Sequence, residues 1–345
     1  MTIEFWPAED LESVPCCPVC GDMGRTMAYA GLTDRVFCIA PGHWDLYVCT
    51  DCRSGYLDPR PTQSSIGRAY SGYYTHDAVD HPIVRRKGRL RSFLHDLING
   101  YENRRYGLSR EPSLRIGRWL LPIIPSLSSA ADSECRHLPA VPKRGGRLLD
   151  VGCGNGSFLA LARQAGWQVQ GLDFDVDAVK AAQSRGLDVQ HGGLEALENQ
   201  RECYDVITLC HVIEHLHDPV QALHRLYGLL KPGGVLWLDT PNMNSLGVKR
   251  FGPAWQALDP PRHLILFTPD GLRKSLSDAG FKTFRQHWRG MSLFGVFAPS
   301  EAIQRGEFGT SASHQGKPPL RDILAELREM VQPSRREFLT FTARK

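Results

Sequence analysis

The segment Arg147-Leu-Leu-Asp-Val-Gly-Cys-Gly-Asn-Gly156 limits the choice of fold more than any other stretch. Leu148, Leu149 and Val151 form a short apolar run ending in glycines, which reads as a buried strand entering a tight turn. Ser157-Phe-Leu-Ala-Leu-Ala-Arg-Gln-Ala165 is rich in helix formers, with apolar side chains at Phe158, Leu159, Leu161 and Ala162. Gly166 then closes the helix. Strand, glycine turn and helix in this order open a doubly wound α/β sheet that binds nucleotides at its strand ends.

The details of the turn decide which nucleotide fits. A dinucleotide fingerprint needs glycine at the first, third and sixth places. Gly152 and Gly154 fill the first two, but Ser157 occupies the sixth. Asp150 ends the strand beside the turn. A carboxylate there repels a pyrophosphate and suits a cationic group, such as the ammonium of an amino acid. Gly152, Gly154 and Gly156 allow a close backbone approach to the ligand. Val169-Gln-Gly-Leu-Asp173 is the next strand, ending in an acid where this fold holds ribose hydroxyls. An ammonium and a ribose together describe S-adenosylmethionine. A turn that served packing alone would not need the two flanking acids.

These residues, with His211-Val-Ile-Glu-His-Leu-His-Asp-Pro219 and Leu230-Lys-Pro-Gly-Gly234, make the chain resemble the class I S-adenosylmethionine-dependent methyltransferases over about Arg147 to Lys345. The resemblance implies an α/β fold, a Rossmann-like doubly wound sheet with an antiparallel closing strand pair. Leu187-Asp-Val-Gln190, Tyr204-Asp-Val-Ile-Thr-Leu-Cys210 and Gly234-Val-Leu-Trp-Leu-Asp239 supply further strands. Phe281-Lys-Thr-Phe284 and Glu337-Phe-Leu-Thr-Phe-Thr342 supply the closing pair. Cofactor contacts are implied at Asp150, Gly152, Gly154, Asn155, Gly156, Asp173, Phe174 and His211. Relatives often carry an acid for the adenine amino group where this chain has Gly193, leaving the backbone near Gly193 and Leu194 for that contact.

The 345 residues, 42% hydrophobic, suffice for one large core and a smaller module. The N-terminus lacks the basic and long apolar regions of a signal peptide. Trp119-Leu-Leu-Pro-Ile-Ile-Pro125 is too short to span a bilayer and is broken by prolines. A soluble, cytoplasmic protein is expected. In that setting the ten cysteines read as metal chemistry rather than disulfides. Cys17-Pro-Val-Cys20 and Cys49-Thr-Asp-Cys52 form two facing knuckles, and four thiolates make the closed site of a structural zinc. Cys16 is an alternative ligand, while Cys38 and His43 lie in the long spacer. The plainer alternative is four unrelated reduced cysteines. A redox role lacks the surrounding strand-helix pattern.

With the ribbon, the proline-rich exit Gly55-Tyr-Leu-Asp-Pro-Arg-Pro-Thr62 and a helix ending at Tyr73-Tyr74, most of the chain resembles zinc-ribbon methyltransferases of bacterial sugar and surface-glycan pathways. That resemblance makes Tyr70 and Tyr74 candidates to touch cofactor or substrate. His81 to Leu121 reads as a basic helical segment with Arg85, Arg86, Lys87, Arg89, Arg91, Arg104 and Arg105. Its apolar face comprises Leu90, Phe93, Leu94, Leu97 and Ile98. It is either a solvated amphipathic helix or a landing surface for a phosphorylated substrate such as a nucleotide-sugar. Ser126 to Gly146, rich in Ser, Pro and Ala, reads as a linker. The polar, glycine-rich stretch from about Gly306 to Pro319 reads as a mobile insertion. The expected division is a zinc ribbon over 1–60, a helical cap and linker over 61–140, and the methyltransferase domain over 141–345.

Methyl transfer from a sulfonium is an in-line displacement, and a hydroxyl acceptor must lose a proton. His215 is the expected base and Glu214 its partner, as in the sugar methyltransferases that the chain resembles. His263, in the loop Asp259-Pro-Pro-Arg-His-Leu264, is the reserve. His211 and His215 have a blander reading as local helix caps. His211-Val-Ile-Glu-His215 also matches an inverted zinc-peptidase motif, but it starts at a sheet strand inside a cofactor fold. The leading expectation is O-methylation of a sugar or other hydroxylated small metabolite. The alternatives are an RNA methyltransferase gripping phosphates with the ribbon and basic helix, and a non-catalytic binding module. A net charge of +4 is mild and argues against nucleic acid without excluding it. Nothing in the sequence sets an oligomeric state.

Overall fold

The computed structural model describes residues 5–70, 88–290, 293–309 and 319–345. Five short strands come first: β1 (Leu11–Glu12), β2 (Arg25–Leu32), β3 (Trp44–Cys49), β4 (Gly55–Leu57) and β5 (Arg60–Pro61). Helices α1 (Arg89–Tyr106), α2 (Gly117–Leu120) and α3 (Pro125–Glu134) follow. Strands and helices then alternate through β6 (Gly146–Val151), α4 (Ser157–Gln164), β7 (Trp167–Asp173), α5 (Val176–Ser184) and β8 (Val189–His191). Next come β9 (Tyr204–Cys210), α6 (Pro219–Leu229) and β10 (Leu230–Pro241). The rest is α7 (Leu246–Phe251), β11 (Ile265–Leu266), α8 (Pro269–Asp278), β12 (Thr283–His287), α9 (Leu293–Gln304), α10 (Leu320–Val331) and β13 (Phe338–Arg344).

A seven-stranded sheet in the order β12-β13-β10-β9-β6-β7-β8 forms the centre. Strands β10, β9, β6, β7 and β8 run parallel, while β13 runs antiparallel to both β10 and β12. This is the Rossmann-like mixed sheet with its closing pair. The chain order reverses at β6, between β9 and β7, so the ligand crevice opens at the carboxyl ends of those strands. Leu148, Leu149, Val206, Ile207 and Leu209 are buried, as parallel strands covered on both faces require. Side chains cap the helices around the sheet: Asp175 for α5, Asp218 for α6 and Thr268 for α8. No helix among the described residues is long and apolar enough to cross a membrane.

The stretch read as a linker is not one. Residues Pro125–Glu134 form α3, with Ala130 and Ala131 buried, and Cys135 and Leu138 are buried just beyond. Small residues that suggest flexibility by composition here let a helix approach its neighbours closely. The apolar face expected on α1 is only half used. Leu97 and Ile98 are buried, whereas Leu90 and Phe93 are 72% and 47% exposed. Arg105 of that helix is tied to Asp132 at 2.8 Å. Tyr73, Tyr74, Arg85, Arg86, Lys87 and most of the glycine-rich stretch before Pro319 lie outside the described residues.

The N-terminal strands are built into the rest of the molecule. The second sheet, β11-β4-β3-β2, takes its edge strand from residues 265–266. Val19, Cys49 and Tyr56 share one core with Leu264, Leu272 and Leu276. Trp6 and Trp44 share another with Trp255 and Phe297. Asp34, inside the spacer between the two cysteine pairs, reaches Arg262 at 2.6 Å, and both side chains are fully buried. Arg262 also bonds Asp259 at 2.6 Å, Ala69 O at 3.0 Å, and lies 4.6 Å over the Phe37 ring. Burial pushes the Asp34 carboxyl up, but Arg262 and the amides of Phe37 and Ala40 outweigh it and hold the pKa at about 2. Removing one partner strands the other charge, so Asp34→Ala should cost about 3–5 kcal/mol, read as a fall in the denaturant midpoint.

Candidate active site

Three glycines of the turn after β6 have positive φ: Gly152 at 69°, Gly154 at 53° and Gly156 at 77°. They are not equivalent. A Cβ on Gly152 would lie 2.4 Å from Val212 Cγ2, and one on Gly156 would lie 2.4 Å from Leu187 Cδ1. A Cβ on Gly154 would meet nothing within 4 Å. Gly154 is therefore the position open to a ligand. Its N–H donates to Asp173 Oδ2 at 2.7 Å, and Asp175 N–H donates to Asp173 Oδ1 at 2.9 Å. Burial raises the Asp173 pKa despite these bonds. Phe174, 64% exposed, stands beside it. Asn155 turns back into the chain, accepting from Ser157 N–H and hydroxyl at 3.1 and 2.6 Å. The Gly193 N–H, one of the groups expected for the adenine, donates to Glu195 at 2.7 Å.

Asp150 takes its positive partner from the chain itself. It is fully buried, with Oδ1 against the Arg136 guanidinium and accepting from Thr208 at 2.8 Å. Burial raises its pKa and Arg136 opposes the rise. Oδ2 has no hydrogen-bond partner among the described residues. Arg136 lies 3.8 Å over the Phe158 ring and 5.5 Å from that of Trp237. A ligand ammonium at this acid would therefore share it with Arg136.

Beyond β9 and β10 a cavity of about 800 Å³ is walled by Phe37, Phe158, Trp237 and Phe338, with Cys210, His211, His215, His263 and Arg289 among the polar groups. His211 has φ 54°, an uncommon value for a side chain with Cβ and one that marks functional turns. Its Nδ1 is 3.2 Å from Glu214 Oε1, and its Nε2 is 3.0 Å from Arg289 Nη1. Glu214 is fully buried and also accepts from Thr240 at 2.9 Å. Burial pushes its pKa up, but the bond to His211 and the charges of His211, His215 and His263 hold it at about 2. Among the described residues Glu214 has no hydrogen bond to His215; the expected pair is joined by field alone, because the carboxylate faces His211 and Thr240.

His215 is set by other groups. Its Nδ1 lies 2.8 Å from the Arg262 carbonyl and 3.0 Å from the Tyr70 hydroxyl. A carbonyl only accepts, so Nδ1 carries the proton and Nε2 the lone pair. His263 is held the same way, with Nδ1 2.8 Å from the Ala257 carbonyl. The two rings are 4.8 Å apart. Burial and the neighbouring His263 lower the His215 pKa to about 4. His211 and His215, the metal pair of an inverted zinc-peptidase motif, face different partners, which removes that reading. Tyr70 touches the base candidate itself.

The four cysteines meet as expected. Cys17 and Cys52 Sγ atoms are 3.6 Å apart, Cys20 and Cys49 Sγ atoms 3.5 Å, and all four lie within 4.8 Å of one another. Thiolates ~2.3 Å from a tetrahedral zinc stand about 3.8 Å apart, so the donor set fits that ion. Cys16 and Cys38 are exposed and outside the cluster.

Comparison with known proteins agrees with this geometry. A family model described as a methyltransferase domain matches residues 127–286. It begins inside α3, the helix concealed in the supposed linker. The ubiquinone biosynthesis O-methyltransferase of Chelativorans sp. is 30% identical over 156 residues, 42% of this chain and 62% of that protein. The malonyl-[acyl-carrier protein] O-methyltransferase of Salmonella typhimurium is 29% identical over 185 residues, 52% of this chain and 70% of that protein. A solved S-adenosylmethionine-dependent methyltransferase from Archaeoglobus fulgidus is 21% identical, covering 64% of this chain and 93% of that chain at a TM-score of 0.44. The chain spans between 45% and 62% of the first three curated relatives' own length. Residues 127–286 thus match a methyltransferase domain.

Sequence reasoning missed Arg136, Arg289, Asp239 and the Asp34–Arg262 pair. Asp239 had a signal, an acid at a strand end like Asp173. Arg136 was a charged residue in a stretch of small ones. The glycine turn yields a contrast that separates packing from binding. Gly156→Ala should lower Tm clearly, because Leu187 and Ala182 must move. Gly154→Ala should cost only the left-handed strain of about 1 kcal/mol, yet weaken S-adenosylmethionine binding tenfold or more by calorimetry.

Proposed function

We propose that the protein transfers a methyl group from S-adenosylmethionine to a hydroxyl oxygen of a small hydroxylated metabolite, sugars and glycan precursors included. The single observation that carries this is His215: Nδ1–H anchored on a carbonyl and Nε2 without a hydrogen-bond partner among the described residues, on the wall of a cavity at the end of β9. The two relatives described above are both O-methyltransferases, which favours oxygen.

The residues present suit the cofactor. Gly154 opens on free space, Asp173 ends the strand at which this fold class holds ribose hydroxyls, and Asp150 Oδ2 lacks a partner among the described residues. Bound there, S-adenosylmethionine supplies an electrophilic methyl group on a sulfonium centre. His211, near the end of β9, joins the cofactor side to the acceptor side. Phe37, Phe158, Trp237 and Phe338 give the acceptor apolar surface to rest against. His215 Nε2 would take the acceptor hydroxyl's proton as the O–C bond forms and the methyl C–S bond breaks, its electron pair passing to sulfur to leave S-adenosylhomocysteine. An oxygen receiving a methyl group becomes strongly acidic, so a base with a pKa of about 4 suffices. The resulting imidazolium lies in the field of Glu214, and His263 is held to take over a proton nearby. The cysteine cluster is the proposed site of a structural zinc, fixing the knuckle that bonds Thr268 through Cys52 O at 2.7 Å.

His215→Ala should lower kcat by about 10²–10⁴ while leaving S-adenosylmethionine affinity unchanged. Because His215 must be neutral to accept a proton, the rate should stay flat down to pH 5. It should fall only as pH drops through about 4, not 6.5, in release of S-adenosylhomocysteine against pH. Absence of transfer to any member of a sugar and hydroxylated-metabolite panel would remove the reading. Elemental analysis should give one zinc per chain, and stripping it with a chelator should lower Tm by several degrees.

A further inference from the structure

The cavity carries a cationic fork that methyl transfer itself does not use. Arg289, just past β12, uses one nitrogen for its known contacts. Nη1 bonds Asp239 Oδ2 at 2.5 Å and His211 Nε2 at 3.0 Å. Its guanidinium lies 4.4 Å over the Phe338 ring, which fixes the plane. Nε and Nη2 have no partner among the described residues. That side edge of a guanidinium forks onto a carboxylate or phosphate with two parallel hydrogen bonds. The other guanidinium on the wall, Arg136, is 12% exposed and held against Asp150, whereas Arg289 is 33% exposed. The acids on the wall are already matched: Asp259 with Arg262 and Glu134 with Arg110.

The place of Arg289 assigns it to the acceptor. The glycine turn and Asp173 lie at the ends of β6 and β7, while Arg289 is tied to the ends of β9 and β10 through His211 and Asp239. Asp239 is 1% exposed and also takes the Thr340 hydroxyl at 2.5 Å, so the arginine is anchored from behind. His215, His211 and Arg289 line the same cavity.

We infer that the methyl acceptor carries an anionic group, a carboxylate or phosphate monoester, that docks on the Nε–Nη2 edge of Arg289 while its hydroxyl faces His215. This rests on the methyltransferase reading above and narrows its substrate class. The basic segment around α1 is not needed for it.

The test uses the full chain with zinc, saturated with S-adenosylhomocysteine, and calorimetry with matched probes. D-glucuronate is set against D-glucuronamide, D-glucose 1-phosphate against D-glucose, and 3,4-dihydroxybenzoate against its amide. Binding of S-adenosylhomocysteine is measured first. If it fails, the methyltransferase reading falls, not this step alone. With it bound, at least one anion should bind tenfold or more tightly than its neutral partner. Arg289→Gln should erase that difference while leaving the neutral probe and S-adenosylhomocysteine unaffected. Arg289→Lys, which keeps the charge but loses the fork, should retain part of it and guards against misfolding of the first variant. Preference for the carboxylate or the phosphate member identifies the anion. No preference for any anion, or a preference that survives Arg289→Gln, overturns the inference.

Discussion

The fold turns on one buried arginine. Arg262 has no solvent exposure, yet it gathers four groups: Asp34 and the ring of Phe37 from the cysteine spacer, its neighbour Asp259 and the Ala69 carbonyl. A lone guanidinium at that depth would be untenable, so two carboxylates and a carbonyl must be delivered to it. Its own carbonyl then fixes the tautomer of His215. Burying one charge correctly thus closes the second core, places Phe37 in the cavity wall and orients the proposed base.

The cavity follows a related electrostatic rule. Its acids are buried behind cations, Asp150 behind Arg136 and Asp239 behind Arg289, while burial and the neighbouring His263 lower the pKa of His215. The wall therefore offers lone pairs and donor edges rather than bare carboxylates. That suits a cationic donor and a hydroxylated acceptor meeting in a space kept apolar by four aromatic rings.

Much of this was written locally in the chain. The apolar run before Gly152, the acid at Asp173, the strand at Tyr204–Cys210 and the closing pair each follow from patterns a few residues long. The cysteine pairs carry their own geometry. What escaped were pairings over long distances. Nothing near Asp34 signals a partner 228 residues away. The helix Pro125–Glu134 was hidden because serine and alanine suit both a flexible tether and a close helix contact. Leu90 and Phe93 stay exposed, since periodicity shows that a helix has an apolar side, not how far a neighbour covers it. His215 could be singled out from its own segment, but the groups that orient it, a carbonyl and a tyrosine hydroxyl, leave no trace there.

The second sheet has a consequence for biosynthesis. Its edge strand and the partner of Asp34 lie more than 200 residues downstream of the strands they complete. At about 5–20 residues per second, a ribosome exposes the cysteine knuckles on the order of ten to forty seconds before those partners emerge. Through that interval the nascent ribbon presents bare apolar faces and four unsatisfied thiols. Early capture of a metal ion would hold the knuckles together while the rest of the chain is still being made.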